Sequence, residues 1–312
     1  MKNSKKFKEY LINKNLEGLK SIDKGELHNH GGLGMKFEKI HKYTNGKIKK
    51  PSENMDGIKG LDDFIFNEYI THIKTKYDFL WTIEETVKSA IDDGVGVLEA
   101  SIDCHDFLRF EDKSEFFDSI EKIVKKHKSK IEFRPEIGIA KSITNENLEN
   151  IIPILIDSNI FKSIDLYGDE ALVGFERYRN YYKYAKSKGL KLKAHAGEFL
   201  GAENVKDAIQ TLNLDEIQHG FRAIENEYVL DMIKDRDIRL NICPTSNIYL
   251  KAIDDMKKHP IKRLFDKDIN ISINTDDLIV FNSSVSEEYL MLYTNDIFNE
   301  EELDIIRVRS LE

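Results

Sequence analysis

Four short clusters in this 312-residue sequence carry side chains that could do chemistry together. The first is Leu27-His28-Asn29-His30, followed by Gly31 and Gly32. Side chains two apart in an extended segment share a face, so the imidazoles of His28 and His30 can reach one ion. Taken alone, such a pair is more often two polar residues near a strand end than a metal site. The second cluster, His195-Ala196-Gly197-Glu198, sets a carboxylate three residues after a histidine, with small residues between. Its bland reading is a loop with a helix-capping Glu. The third is Gln218-His219-Gly220, and the fourth is Asn274-Thr275-Asp276-Asp277. One of the two aspartates can cap the next helix, but adjacent side chains point apart, which leaves the other for different work. Together, three histidines (His28, His30, His195) and Asp276 form a ligand set suited to one divalent ion, most naturally zinc, with a position left for water. Glu198, His219 and Asp277 are then the groups available to move protons at that water. His41, His72, His105, His127 and His259 fit no such pattern and read as surface or structural.

For these clusters to meet, the segments that carry them must end on one face. Short apolar runs bounded by polar or turn residues occur at 24–30, 95–102, 131–140, 162–168, 190–195, 216–220, 238–244 and 269–275, and they read as strands. Helical spacing lies between most of them, as in Phe116, Ile120, Ile123 and Val124, or Val205, Ala208, Ile209 and Leu212. Eight alternating units predict an α/β fold of the (β/α)8 TIM barrel type, in which every strand's C-terminal end opens onto the same face. A doubly wound open sheet is the rival, but no GxGxxG follows the first strand. The interval 35–94 is too long for one crossover helix and holds helical patterns near 61–72 and 83–92. It reads as a helical insertion capping the site within a single domain, 1–312; a helical hairpin away from the site is the alternative.

Composition removes several functions. With 47 Lys+Arg against 56 Asp+Glu, the net charge of −9 argues against nucleic acid or an anionic membrane as partner, since both need a basic face. The two cysteines, Cys104 and Cys243, are too few and too far apart for a disulfide framework. Reduced thiols and a cytoplasmic setting are therefore expected. The N-terminal stretch has no continuous apolar run and does not read as a signal peptide, and no run of 18 apolar residues predicts a membrane span.

The segments LHNH (27–30), IDLYGDE (164–170), HAGE (195–198), QHG (218–220), CPTSN (243–247), HPI (259–261) and NTDD (274–277) resemble, in order and spacing, the adenosine deaminase family of metal-dependent aminohydrolases. The resemblance covers nearly the whole chain. The zinc-dependent cytidine deaminase pattern is absent, with neither its HxE nor its PCxxC. The resemblance implies that His28, His30, His195 and Asp276 hold the metal and that Glu198 handles the proton at N1 of a purine. It implies that His219 orients and deprotonates the attacking water, that Asp277 bonds N7 and helps place that water, and that Gly168 offers its N–H to N3. Asp165 would stand behind the ligands. The implied reaction is hydrolytic deamination at C6 of adenosine or a close adenine nucleoside or nucleotide, with loss of ammonia and no organic cofactor. Two readings stay open beside it: a degenerate relative that only binds a nucleoside, and an amidohydrolase of another purine, 5′-phosphorylated or N6-modified.

Four positions depart from the family's pattern: Gly31-Gly32 after the first motif, Gln218 before His219, Leu278 after the aspartates, and EASIDC (99–104) after the second strand. The position of Gly32 commonly carries an Asp that bonds the ribose 5′-hydroxyl. Its loss, with the backbone N–H groups of Gly31, Gly32 and Gly34 and with Lys36 nearby, suggests that the 5′ end of the substrate is bulkier, phosphorylated or absent. Alternatively Asp103 takes over that hydroxyl.

Overall fold

The computed structural model describes residues 3–52 and 55–312. Eight parallel strands run in chain order: β1 (Lys24–Glu26), β2 (Val95–Asp103), β3 (Glu132–Ala140), β4 (Ser163–Tyr167), β5 (Lys191–Ala196), β6 (Glu216–His219), β7 (Arg239–Ile242) and β8 (Ile271–Ile273). Each lies within a run predicted from sequence, except that β2 and β5 extend one residue further. Both faces are buried: along β2 the apolar Val97, Leu98, Ala100 and Ile102 are buried, and so are Glu99 and Ser101 between them. Helices between the strands supply the outer layer. In the helix Lys113–His127, Phe116, Ile120 and Ile123 are buried, and in Ala202–Leu212 the same holds for Val205, Ala208, Ile209 and Leu212.

β1 stops at Glu26, short of the predicted residue 30, because side chains replace the ladder at the seam with β8. Leu27 N donates to Asn274 Oδ1 (2.8 Å) and Thr275 N to Glu26 Oε1 (3.1 Å). Beyond them Asp276 N donates to the His28 carbonyl (3.1 Å), so the barrel is nearly closed through the two segments that carry His28 and Asp276.

The barrel axis is filled by charge as well as by apolar layers. Lys193 is fully buried, and its ammonium contacts Glu99, Glu136 (2.7 Å) and Glu216 (3.3 Å). It also donates to the Leu27 carbonyl (3.0 Å), which accepts as well from Asn241 Nδ2 (3.4 Å) and Gln218 Nε2 (3.5 Å). Gln218 thus has a structural use: its amide helps hold the backbone that leads into His28.

Between β1 and β2 lie the helices Phe37–Tyr43, Gly57–Phe64 and Ile70–His72, the π-helical turn Ile65–Tyr69 and the long helix Lys76–Asp92. The last begins at a Thr75–Asp78 capping box and packs on β2 as an ordinary crossover. The earlier pieces bury Ile40, Leu61, Phe64 and Tyr69 in a second apolar cluster with Leu250 and Ile279–Phe281, residues that follow β7 and β8. This packing seats them on the C-terminal face of the barrel.

Candidate active site

At that face, the strand ends bring the four sequence clusters together. His28 and His30 leave β1, His195 lies in β5, and Asp276 follows β8. Their ligand atoms all lie within 4.8 Å of one another. His28 Nε2 is 3.1 Å from His195 Nε2, and Asp276 Oδ1 is 3.2 Å from His30 Nε2 and 3.6 Å from His28 Nε2. Donors about 2.0–2.1 Å from a tetrahedral zinc stand roughly 3.3 Å apart, so the spacing fits. The outer nitrogens are also placed. His28 Nδ1 donates to the Asn241 carbonyl (3.1 Å), and His195 Nδ1 faces Asp165 Oδ1 (3.4 Å), which turns both Nε2 atoms toward the common centre. Asp276 Oδ2 accepts from Ser246 Oγ (2.7 Å). Cys243 Sγ approaches His28 Nδ1 (3.3 Å), but on the side away from this centre, and burial pushes its thiol pKa well up.

The proton-handling candidates border the same space. His219 Nε2 lies 3.5 Å from Glu198 Oε2 and 4.0 Å from Asp276 Oδ2. Burial drives the Glu198 carboxyl well above its usual pKa, with Asp276 and Glu170 pushing the same way against the Asn247 hydrogen bond. Burial likewise keeps His219 well below the usual imidazole range. Asp277 is raised to about 7 by burial, opposed by His30 and reinforced by Asp276, and its buried Oδ1 has no hydrogen-bond partner among the described residues. His219 and Asp276 both adopt the left-handed backbone region, at φ 63° each, a conformation uncommon in residues other than glycine.

Asn247, which follows β7 in CPTSN, joins these groups. Its Nδ2 donates to Glu198 Oε1 (3.2 Å) and His219 Nδ1 (3.1 Å), and its Oδ1 accepts from His259 Nε2 (3.2 Å). His259 Nδ1 accepts from Ile261 N (3.1 Å), so its proton sits on Nε2. That fixes the Asn247 amide and, through it, the proton of His219 on Nε2, facing the site. His259 is buried, within hydrogen-bonding reach of the Asn247 side chain, not on the surface. Glu170, in IDLYGDE, accepts from the N–H groups of Glu198 (2.9 Å), Phe199 (3.0 Å) and Leu200 (2.6 Å) and so sets the turn carrying Glu198. The motifs containing Asn247, His259 and Glu170 were visible in the sequence, but their partners were not.

The substrate-side candidates are placed less simply. Gly168 follows β4 at φ 102°, where its lack of a side chain is required. The Gly32 carbonyl accepts from Tyr69 Oη (2.8 Å), and a Cβ on Gly32 would lie 2.6 Å from that hydroxyl. Asp103 uses Oδ1 for His105 N (2.7 Å) and Nδ1 (2.8 Å) and Oδ2 for Tyr167 Oη (2.5 Å). Two of the groups expected to face an anion, Gly31 N and the Lys36 ammonium, have other partners. Gly31 N is spent on the Ser101 carbonyl (2.7 Å), and Lys36 pairs with Glu287 (2.8 Å).

Residues 47–312 match the Adenosine deaminase family profile. A putative adenosine/adenine deaminase of Treponema pallidum is 33% identical over 276 residues, 88% of this chain and 92% of that protein. Among solved structures, an adenine deaminase from Arthrobacter aurescens superposes with a TM-score of 0.79 at 20% identity, covering 93% of each chain. An amidohydrolase from Burkholderia ambifaria with bound Zn gives 0.77 at 18% identity over 94% of this chain and 85% of its own. With the sequence match spanning most of its length and the barrel carrying it, the chain belongs to the adenosine deaminase family and is a hydrolytic deaminase.

Proposed function

We propose that the protein removes the 6-amino group of adenine-type purines by hydrolysis, at one zinc ion held by His28, His30, His195 and Asp276. The carrying observation is the meeting of four donor atoms, three of them on buried residues, within 4.8 Å beside Glu198 and His219. The bound Zn of the Burkholderia amidohydrolase supports the choice of metal, and the name of the Treponema relative supports the substrate class. Held by these four residues, a divalent ion would supply the lowering of a bound water's pKa toward neutrality.

The chain's own residues do the rest. Glu198, whose burial favours the protonated form, gives its proton to N1, which makes C6 electrophilic. His219, with Nε2–H turned to the site, orients the attacking water as a donor. Asp277, near neutrality, takes one proton from that water, donates it in a hydrogen bond to N7 while the C–O bond forms, and passes it to the departing amino group. The C–O bond forms at C6 and the C–N bond breaks. The Glu198 proton stays on N1, one water proton leaves with the ammonia, and the other restores Glu198. Gly168 offers its N–H to N3. A pure binder has no use for a full proton-handling set of Glu198, His219 and Asp277. The net charge of −9 favours a small-molecule purine over nucleic acid, and two buried free cysteines suit a reducing cytoplasm.

The test is ammonia release by zinc-loaded protein from adenine, adenosine, AMP and N6-methyl-AMP, with metal content measured in parallel. The expected result is turnover of at least one purine with one zinc per chain. A fully loaded protein releasing no ammonia or amine from any of them overturns the reading.

A further inference from the structure

The proposed roles fix how a purine must lie, and the structure has two tyrosines on the side where its N9 would emerge. Glu198 at the end of β5 takes N1, Gly168 at the end of β4 takes N3, and Asp277 after β8 takes N7. On the purine ring N9 lies between N3 and N7, on the side away from N1. Around the barrel, the arc from β8 to β4 that avoids β5 passes β1, β2 and β3. Whatever is attached to N9 must leave across that arc.

Two tyrosine hydroxyls are fastened there. Tyr167, the last residue of β4, leans back over the sheet, its ring centroid 4.9 Å from that of His30 and its hydroxyl on Asp103 Oδ2 of β2 (2.5 Å). The strand it crosses, β3, carries Gly138 in register with Asp103 and Asp165. A Cβ on Gly138 would fall 2.9 Å from Tyr167 Cε1, so the glycine makes the seat for the ring. Asp103 is in turn held by His105 Nδ1 (2.8 Å). On β1's side Tyr69, from the π-helical turn, donates to the Gly32 carbonyl (2.8 Å) and stands where a longer residue at 32 would project. A π-helical turn is an uncommon local geometry that recurs at functional sites.

We propose that Tyr167, latched by Asp103 and seated on Gly138, is a specificity-determining residue that with Tyr69 closes the N9 side of the site, so that the preferred substrate is the free base adenine rather than its nucleoside or nucleotide. This rests on the deaminase reading given above. It also accounts for Gly32: with no ribose hydroxyl to meet, the site has no carboxylate there. A pocket that rejects by bulk discriminates through the lost contacts and forced displacement of the larger ligand.

The experiment compares kcat/KM for adenine and adenosine in the zinc-loaded parent, Tyr167→Ala and Tyr167→Phe, with Kd values for the products hypoxanthine and inosine measured by calorimetry. The parent is expected to favour adenine by at least about tenfold, with the same order in the two Kd values. Tyr167→Ala should shrink that ratio by about tenfold or more by gaining on adenosine, and Tyr167→Phe, which keeps the ring but loses the latch, should fall between. Damage to the fold lowers both substrates together and leaves the ratio where it was, so the ratio reports the N9 side alone. A parent that handles adenosine as well as adenine, or a ratio unmoved in both variants, overturns the inference while leaving the deaminase reading intact. A loaded parent that turns over neither compound overturns the inference, and it overturns the deaminase reading as well only if AMP and N6-methyl-AMP are also left untouched.

Discussion

Glu198 and Asp276 sit in one buried pocket, yet their removal should have different consequences. Glu198→Gln keeps the shape and the Asn247 hydrogen bond but cannot supply a proton, so activity should fall by about 10²–10⁴-fold with zinc content unchanged. Asp276→Ala deletes an anionic ligand and should lose zinc and activity together. Metal analysis beside kinetics separates the two; an active Glu198→Gln, or zinc at full stoichiometry in Asp276→Ala, contradicts the assignment. His259 offers a test in stability. Burial lowers its pKa to about 3, whereas in the unfolded chain it is about 6.5. The folded protein therefore needs the imidazole neutral. Its contribution is fully present above the unfolded pKa and is lost as pH falls from there toward the folded value, reaching about 2 kcal/mol by pH 5. His259→Gln should flatten the fall in unfolding free energy between pH 7 and 5 relative to the parent. Other buried imidazoles such as His28 add slope to both proteins, so the difference is the readout, and equal slopes would refute the linkage. The residues proposed as ligands and proton donors could be picked out as candidates in sequence because they stand in short motifs at strand ends. The fastening of His259 to Asn247, and of Tyr69 to Gly32 across 37 residues, was not, because nothing local in the sequence marks which distant polar group will be a partner.

At the scale of elements, the alternation of short apolar runs with helical spacing was enough to read all eight strands. What it did not reveal was the axis of the barrel. Lys193, Glu99 and Glu136 each sit between apolar neighbours and Glu216 follows Asp215, and each alone reads as a solvent-facing charge. Only closure of the barrel turns them inward together, where Lys193 becomes the common partner of three carboxylates. Replacing it by Met should leave those carboxylates uncompensated in the interior, a loss on the order of 3–5 kcal/mol, because the remaining charges keep their desolvation penalty. A second effect follows from the same ammonium's hydrogen bond to the Leu27 carbonyl, which anchors the seam just before His28. Zinc affinity should therefore weaken in Lys193→Met, while Lys193→Arg, which restores the charge and a donor, should recover part of it. Chelator competition measured at a temperature where both variants are folded gives the comparison. Zinc bound as tightly in Lys193→Met as in the parent would confine the residue to stability.

Across the whole molecule, two apolar clusters are distinct yet share a wall. The larger runs from Phe7 to Ile306 through the barrel and its outer helices. The smaller joins the segment after β1 to residues that follow β7 and β8. Phe199 packs against both, and the long helix Lys76–Asp92 buries Phe79, Ile83 and Val87 in the larger while Trp81 packs against the smaller. A helix rooted in one cluster and contributing to the other leaves little for the insertion to do on its own. Burial of the His28 and Asp276 segments beneath it points the same way, since loosening the cap exposes the seam that closes the barrel. The chain should then unfold as one domain. Trp81 is the sole tryptophan and stacks on Tyr43 at 3.8 Å between ring centroids, so its fluorescence reports the insertion, whereas far-ultraviolet circular dichroism is dominated by the helices and strands of the barrel. In urea the two signals should give coincident transitions with one midpoint, as a two-state unit requires. If Trp81 reports an earlier midpoint, resolved from the barrel's, the insertion is a separately melting cap and the single-domain reading of 1–312 is wrong. Zinc should raise both midpoints together, because the proposed ligands, after β1, in β5 and after β8, come together only when the whole barrel is folded.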